Sequence, residues 1–399
     1  MPQNTIHEIK VRQRTRCAVC QNGLPDPLIR LPRLPLTGIF IPAGEEVKNV
    51  CVDQAFHICP ECGHGQVSNI VDSRYLYGRE YSFRTSLSET SRAGTDVFLD
   101  FLKKVGGDTQ YQCIVDIGCN DLFLLRSLKD RGRERAGIDP VLSGKENTDG
   151  IKVIPKMVED VDFDTALESA PDLIVCRHTL EHLAEPRELL ERLVGVSDEK
   201  ALFVFEFPGI EALLEGSRFD RVFHQHLQYF SLDSLRHLLA EAGLELVDSF
   251  VNYHHWGALL VAFKKGSSAR IPSKISPEEM TAMFRDGYAA FREQMRTVHD
   301  QVVRLKDQGV AGYGASNMVP VLFYHTGLGP EEIKVILDDD PNRSGLRFKD
   351  SGIPVRTADP EKDIKGKNIL VTALDHVRAI TARISPHQPR HIIVPLNTF

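Results

Sequence analysis

Hydrophobic and polar positions divide the chain into stretches of different periodicity. Residues 1–86 sustain no period, because prolines, glycines and arginines interrupt each apolar run. From Glu89 onward the pattern changes: Val97, Phe98, Phe101, Leu102 and Val105 recur at the spacing of an amphipathic helix. Strand and helix signals then alternate, with strands predicted at 113–117, 134–138, 172–176 and 200–206 and helices at 121–131, 186–194 and 232–242. That rhythm predicts a doubly wound parallel sheet. Two last runs, 244–250 and 257–264, are joined by a short loop with no helix between them, so this pair is expected to be antiparallel. The segment "GSSARIPSKISP" at 266–277 has the small, polar, proline-containing composition of a linker. Beyond it come a long amphipathic helix at 277–306 and a second series, with strands at 309–313, 333–338, 368–373 and 390–394 and a helix near 317–325. The pattern predicts an α/β protein in three parts, 1–86, 87–266 and 267–399.

Composition narrows what such a protein does. At 399 residues the chain exceeds one ordinary core. Its longest apolar runs, such as 201–205, are strand-length, so no membrane association is expected. The start, "MPQNTIHEIKVRQRTR", lacks the apolar centre of a signal peptide, and a cytoplasmic location is expected. A net charge of −7 disfavours sequence-independent nucleic-acid binding, which needs a basic face. The oligomeric state stays open, and a monomer is compatible with the pattern.

Cysteines supply the strongest local signal. Cys17, Cys20, Cys59 and Cys62 form two CxxC pairs, which in a reducing compartment argue for metal rather than disulfides. Four thiolates fill a tetrahedral zinc site and leave no open position, so the zinc is read as structural. The 38-residue gap between the pairs is wide, which leaves His57 or His64 open as a replacement ligand, and a redox pair or unligated core cysteines as alternatives.

Further candidates lie at strand ends. In "CIVDIGCND" a strand runs through Asp116 into a turn with Gly118 and Asn120, and Asp139 ends the next strand. A carboxylate there can accept both ribose hydroxyls, while the missing G-x-G-x-x-G leaves no cradle for a pyrophosphate. S-adenosylmethionine, which has a ribose and no phosphate, suits this chemistry, and the antiparallel ending suits a class I methyltransferase better than a dehydrogenase. In "DLIVCRHTLEHL" His178, Glu181 and His182 follow a buried strand; a metal pair is one reading, a helical start with a polar face the commoner one. "FHQHLQYF" places His224 and His226 around Gln225 after another strand, where a near-neutral histidine can exchange a proton. "HWGALL" puts Trp256 at a strand start, and "VAGYGAS" carries Gly312, Tyr313, Gly314 and Ser316 in an incomplete dinucleotide turn that can offer N–H groups to a phosphate or hold no ligand.

Taken together, the paired cysteines, "VDIGCND", "EFPGIEALLEGSRFDRVFHQHLQYFS", "GYGAS" and "DDDPNRSG" occur in the order of one family. The chain resembles the three-domain sugar C-methyltransferases that act on nucleotide-linked deoxyketosugars. That resemblance implies a zinc-binding amino-terminal domain, a central S-adenosylmethionine domain and a carboxy-terminal Rossmann-like domain. It also implies a nucleotide-sugar substrate, with a base removing the proton alpha to the ketone before the enediolate carbon takes the methyl. His226 matches the base, with His224 and Gln225 beside it, and His182 would polarise the ketone. His178 would join Asp116, Gly118, Asn120 and Asp139 around the cofactor. Tyr81 falls in the family's tyrosine-rich segment of the catalytic pocket, and Tyr77, Phe223, Tyr229, Trp256 and the turn from Gly312 to Asn317 would meet substrate. The sequence departs from the family at Phe223 for tyrosine, Gln225 for glutamate, Asn317 for lysine and Trp256 at a Gly-Gly position. The lost hydroxyl and carboxylate keep open an O- or N-methyltransferase, a deprotonation-only epimerase, or a binding protein with a vestigial pocket.

Overall fold

A computed structural model describes residues 9–37, 40–46, 50–76, 84–267 and 274–396. Tyr77 and Tyr81 lie outside the described residues. The chain divides into two compact units, one of Met1–Pro27, His57–Ala212 and Gln225–Thr281, the other of Leu28–Phe56, Leu213–His224 and Ala282–Phe399. No helix among the described residues is long and apolar enough to cross a membrane.

The first unit is built on a seven-stranded sheet. Its strands are β1 (Tyr111–Ile117), β2 (Gly132–Ile138), β3 (Lys152–Ile154), β4 (Leu173–Arg177), β5 (Leu202–Pro208), β6 (Leu244–Asn252) and β7 (Ala258–Lys265). They lie in the order β6-β7-β5-β4-β1-β2-β3, all parallel except β7, which runs antiparallel to β5 and β6. This is the sheet of a class I methyltransferase. β1 and β4 read as nearly continuous apolar runs because helices cover both sheet faces, and Ile114, Val115, Leu173, Ile174 and Val175 are fully buried. Since the chain winds outward in both directions from β1 and β4, a crevice opens at their carboxyl ends. Helix α1 (Glu89–Gly106), capped by the Ser88 side chain on the Ser91 N–H, buries Phe98, Phe101 and Leu102 on one face. The predicted helix at 121–131 shrinks to Phe123–Ser127, and three-residue β3 escapes periodicity altogether.

The second unit carries a five-stranded parallel sheet of β8 (Val310–Tyr313), β9 (Ile333–Asp338), β10 (Val355–Thr357), β11 (Asn368–Val371) and β12 (His391–Ile393), in the order β10-β9-β8-β11-β12. That is a Rossmann-like order. The long helix spans Pro277–Leu305, and its Phe284, Phe291, Met295, Val298 and Val302 are buried at helical spacing. Phe219 packs on Phe284 and Phe291, and buried Arg218 bridges Asp220 and Asp375, so residues 213–224 are fastened within this unit.

Candidate active site

β1 delivers Asp116 and Gly118 to the crevice. Gly118 has φ 74°, followed by left-handed Asn120 and Leu122 at 51° and 67°. A Cβ on Gly118 would run into the Thr179 side chain, so only glycine lets this turn pass beneath the loop after β4. Asp139, at the end of β2, accepts the N–H groups of Asn120 and Val141, each at 2.9 Å. Burial pushes its carboxyl up, and those two donors oppose the shift. Each oxygen keeps a lone pair for a ribose hydroxyl. Asp116 is 2% exposed, and burial pushes it up to about 7 against the opposing charge of Arg177. The Thr85 and Ser86 N–H groups donate to the Asn120 and Asp121 side chains, which ties the turn to the start of α1. The free lone pairs of Asp139 are acceptors of the kind that the two hydroxyls of a ribose require. Gly118→Ala is therefore expected to weaken S-adenosylmethionine binding about tenfold or more, from strain near 1–2 kcal/mol plus the collision. Calorimetric titration giving an unchanged Kd would remove the turn from the cofactor site.

Beside this turn lies a charged network that residue patterns did not reveal. Glu206, at the end of β5, is fully buried and meets Arg177 Nε at 2.6 Å, Asn252 Nδ2 at 2.9 Å and His255 Nδ1 at 3.1 Å. Burial by itself would raise its carboxyl, but Arg177 and His255 outweigh that and hold it far below the usual carboxylate range. Arg177 also donates to Thr95 at 2.8 Å and lies over the Phe98 ring. His178, with φ 49°, has its Nε2 3.0 Å from His255 Nδ1, so it faces this network. Gly94 of α1 is needed here, since a Cβ would sit 2.7 Å from the His255 ring. The sequence signals that touch it were "DLIVCRHTLEHL" and "HWGALL", where Trp256 at φ 57° lies tilted against His255 with ring centroids 4.6 Å apart.

The structure brings His182 and His226 together, with ring centroids 5.1 Å apart. Two hydrogen bonds lock the segments that carry them: His182 Nδ1 to the Gln225 carbonyl at 2.7 Å, and the Leu227 N–H to the Glu181 carbonyl at 2.7 Å. Tyr229 is buried with its ring 6.3 Å from His226. His224 belongs to the second unit, 1% exposed, with Nε2 on the Val52 carbonyl at 2.9 Å. Phe223 is buried there as well.

The same loop hangs on the amino-terminal cysteines. Gln228 and Tyr229 pair antiparallel with Gln66 and Gly65, the Val67 N–H donates to the Leu227 carbonyl, and buried His64 Nε2 meets Gln228 at 2.9 Å. The four cysteine sulfurs lie within 4.8 Å of one another, with Cys17–Cys62 at 3.6 Å and Cys20–Cys59 at 3.4 Å, and none is in a disulfide. Tetrahedral thiolates at the zinc–sulfur distance of about 2.3 Å stand about 3.8 Å apart, so this cluster fits that ion. His57 points its Nδ1 at the Pro25 carbonyl and His64 is engaged on Gln228, so the cluster is formed by cysteines alone.

In the second unit the glycine turn follows β8. Gly314 has φ 99° and donates its N–H to the Leu337 carbonyl, while the Ala315 N–H goes to Asp338 Oδ2 at 2.5 Å. Two N–H groups of the turn are thus committed within the fold. Tyr313 donates to Asp339 at 2.8 Å, and Ser316 Oγ accepts the Met318 N–H, beside half-buried Asn317.

Buried histidines set an acid limit. Burial holds His64, His224 and His255 at about 4, while an unfolded histidine titrates near ~6.5. Below that value the unfolded chain takes up protons that the folded chain refuses, so stability is full above ~6.5 and falls toward 4. Urea midpoints measured from neutral pH downward should decline through that window; a flat profile to pH ~5 would mean that these rings protonate freely in the fold.

Residues 83–249 match a family described as a methyltransferase domain, and residues 255–394 match a C-methyltransferase C-terminal domain. The C-methyltransferase NovU of Streptomyces niveus is 26% identical over 315 residues, 75% of this chain and 74% of that protein. Among solved structures, magnesium protoporphyrin IX methyltransferase of Synechocystis with S-adenosylhomocysteine bound is 12% identical over 44% of this chain and 84% of its own, with a TM-score of 0.34. A methyltransferase of Clostridium acetobutylicum is 10% identical over 44% and 92%, with a TM-score of 0.35. The sheet, the turn and the domain match define an S-adenosylmethionine-dependent methyltransferase. Within that class, residues 255–394 are similar to the carboxy-terminal domain of C-methyltransferases.

Proposed function

We propose that the protein methylates a carbon alpha to the ketone of a nucleotide-linked deoxyketosugar. The observation that carries this reading is the juxtaposition of His182 and His226 at the carboxyl ends of the strands, in the unit that holds the cofactor turn. The similarity to NovU supports carbon as the acceptor. His226 would remove the proton alpha to the ketone. With Nδ1–H on the Gln225 carbonyl, a protonated His182 would donate from Nε2 to the ketone oxygen, with Glu181 balancing its charge. S-adenosylmethionine supplies an electrophilic methyl group to the resulting carbon nucleophile. The four cysteines would hold a structural zinc. Incubation with labelled cofactor and a panel of nucleotide 4-ketosugars should give a C-methylated sugar and S-adenosylhomocysteine. Absence of turnover across the panel would overturn the substrate class.

A second reading rests on Phe223 and Gln225, which supply neither hydroxyl nor carboxylate at the loop. Under it the scaffold deprotonates without methylating, or methylates oxygen or nitrogen instead. Deuterium entering the sugar from solvent with no methyl transfer would favour an epimerase.

A further inference from the structure

Glu181 is a buried carboxyl of the first unit that the fold leaves without hydrogen bonds. Its side chain is 1% exposed, and among the described residues neither carboxylate oxygen has a hydrogen-bond partner, the nearest basic nitrogen being His178 Nδ1 at 3.5 Å. Native folds rarely leave a buried carboxyl in that condition, because each unsatisfied oxygen forfeits its hydration, and burial pushes this one up from its ordinary range. The carboxylate stands 3.9 Å from His182 Nε2, and one oxygen of Glu181 with one nitrogen from each of His182 and His226 lie within 4.8 Å of one another. His182 is further prepared by its other nitrogen: Nδ1 on the Gln225 carbonyl fixes the ring and leaves Nε2 as the electron-pair donor, the support that ligating histidines characteristically receive. The neighbouring group of His178, Glu206 and His255 makes a useful contrast. There the carboxylate already serves Arg177, Asn252 and His255, and a cation would meet the fixed charge of the guanidinium.

We propose that Glu181, His182 and His226 bind one first-row divalent cation, of the zinc or cobalt type, separate from the four-cysteine site. Two imidazoles and one carboxylate suit such an ion better than magnesium, which prefers oxygen, and three protein ligands leave positions open for water. The cation occupies the same lone pair of His226 that proton abstraction requires. Its binding and that reaction therefore exclude each other, and this one consequence rests on the function proposed above: the cation inhibits methyl transfer, and a chelator too weak to strip thiolate-bound zinc restores it.

The test uses the full-length protein with its cysteine site loaded, dialysed to equilibrium against micromolar cobalt. Wild type should take up about one further equivalent per chain, with the visible absorption of cobalt bound by nitrogen and oxygen, and Glu181→Gln and His226→Asn should both lose it. Retained S-adenosylmethionine binding verifies that each variant is folded, and the partly exposed His226 gives a second variant should the buried Glu181 change misfold. No additional uptake by wild type, or uptake unchanged in both variants, overturns the site. Uptake that depends on Glu181 and His226 but leaves turnover uninhibited supports the site and instead overturns the assignment of His226 as the base.

Discussion

Replacement of His226 by alanine is expected to lower methyl transfer by about 10²–10⁴-fold, the contribution of a positioned general base. Affinity for S-adenosylmethionine should be retained if the cofactor sits, as proposed, on the turn after β1 and at Asp139 rather than on this loop. Protons next to a ketone are weakly acidic, so the base must be held where the carbon presents them. Here the holding is explicit: His182 bonds to the Gln225 carbonyl, Leu227 bonds to the Glu181 carbonyl, and Gln228 and Tyr229 enter a strand pair. Exchange of the sugar's alpha proton with solvent deuterium should fall in step with turnover. His224→Ala offers the contrast, because that enclosed ring on the Val52 carbonyl should cost stability rather than chemistry. Wild-type exchange in the His226 variant would discard the assignment.

Substitution of Cys59 by serine is expected to cost both metal and turnover. Structural zinc contributes up to about 10–16 kcal/mol of apparent binding free energy in small domains, and part of that is folding energy. The loss would spread, because the Cys59 N–H bonds to the His64 carbonyl, His64 bonds to Gln228, and Gly65 pairs with Tyr229 on the His226 loop. Zinc content near zero, a lowered urea midpoint and lost activity are therefore expected together. A metal-free variant with wild-type stability and turnover would show that the cysteines pack as ordinary core residues.

Much of the fold was legible in residue order. Alternating strand and helix periods located β1, β2, β4 and β5 to within two residues, and the missing helix between the last two runs foretold the antiparallel β7. Local chemistry sufficed for the turn as well, since Gly118 and Asp139 sit at strand ends whichever way the remaining chain is arranged. The network around Glu206 was not legible. Arg177 ends β4, while Asn252 and His255 lie in and just after the end of β6, and no spacing rule connects them to Glu206.

The histidine pair shows the same division. "HTLEHL" and "FHQHLQYF" nominated His178, His182, His224 and His226 by residue type alone, and only the family resemblance ranked His226 as the base, because sequence reports side-chain type and not direction. Tertiary structure separated them: a left-handed backbone turns His178 toward His255, the second unit encloses His224, and carbonyl hydrogen bonds hold His182 beside His226. Sequence alone determined the α/β class, the glycine turn after β1 and the paired cysteines, which depend on short-range period and spacing. Only the tertiary structure decided which histidines meet and which buried carboxylate stands near them, because that depends on where distant strands end after they have packed.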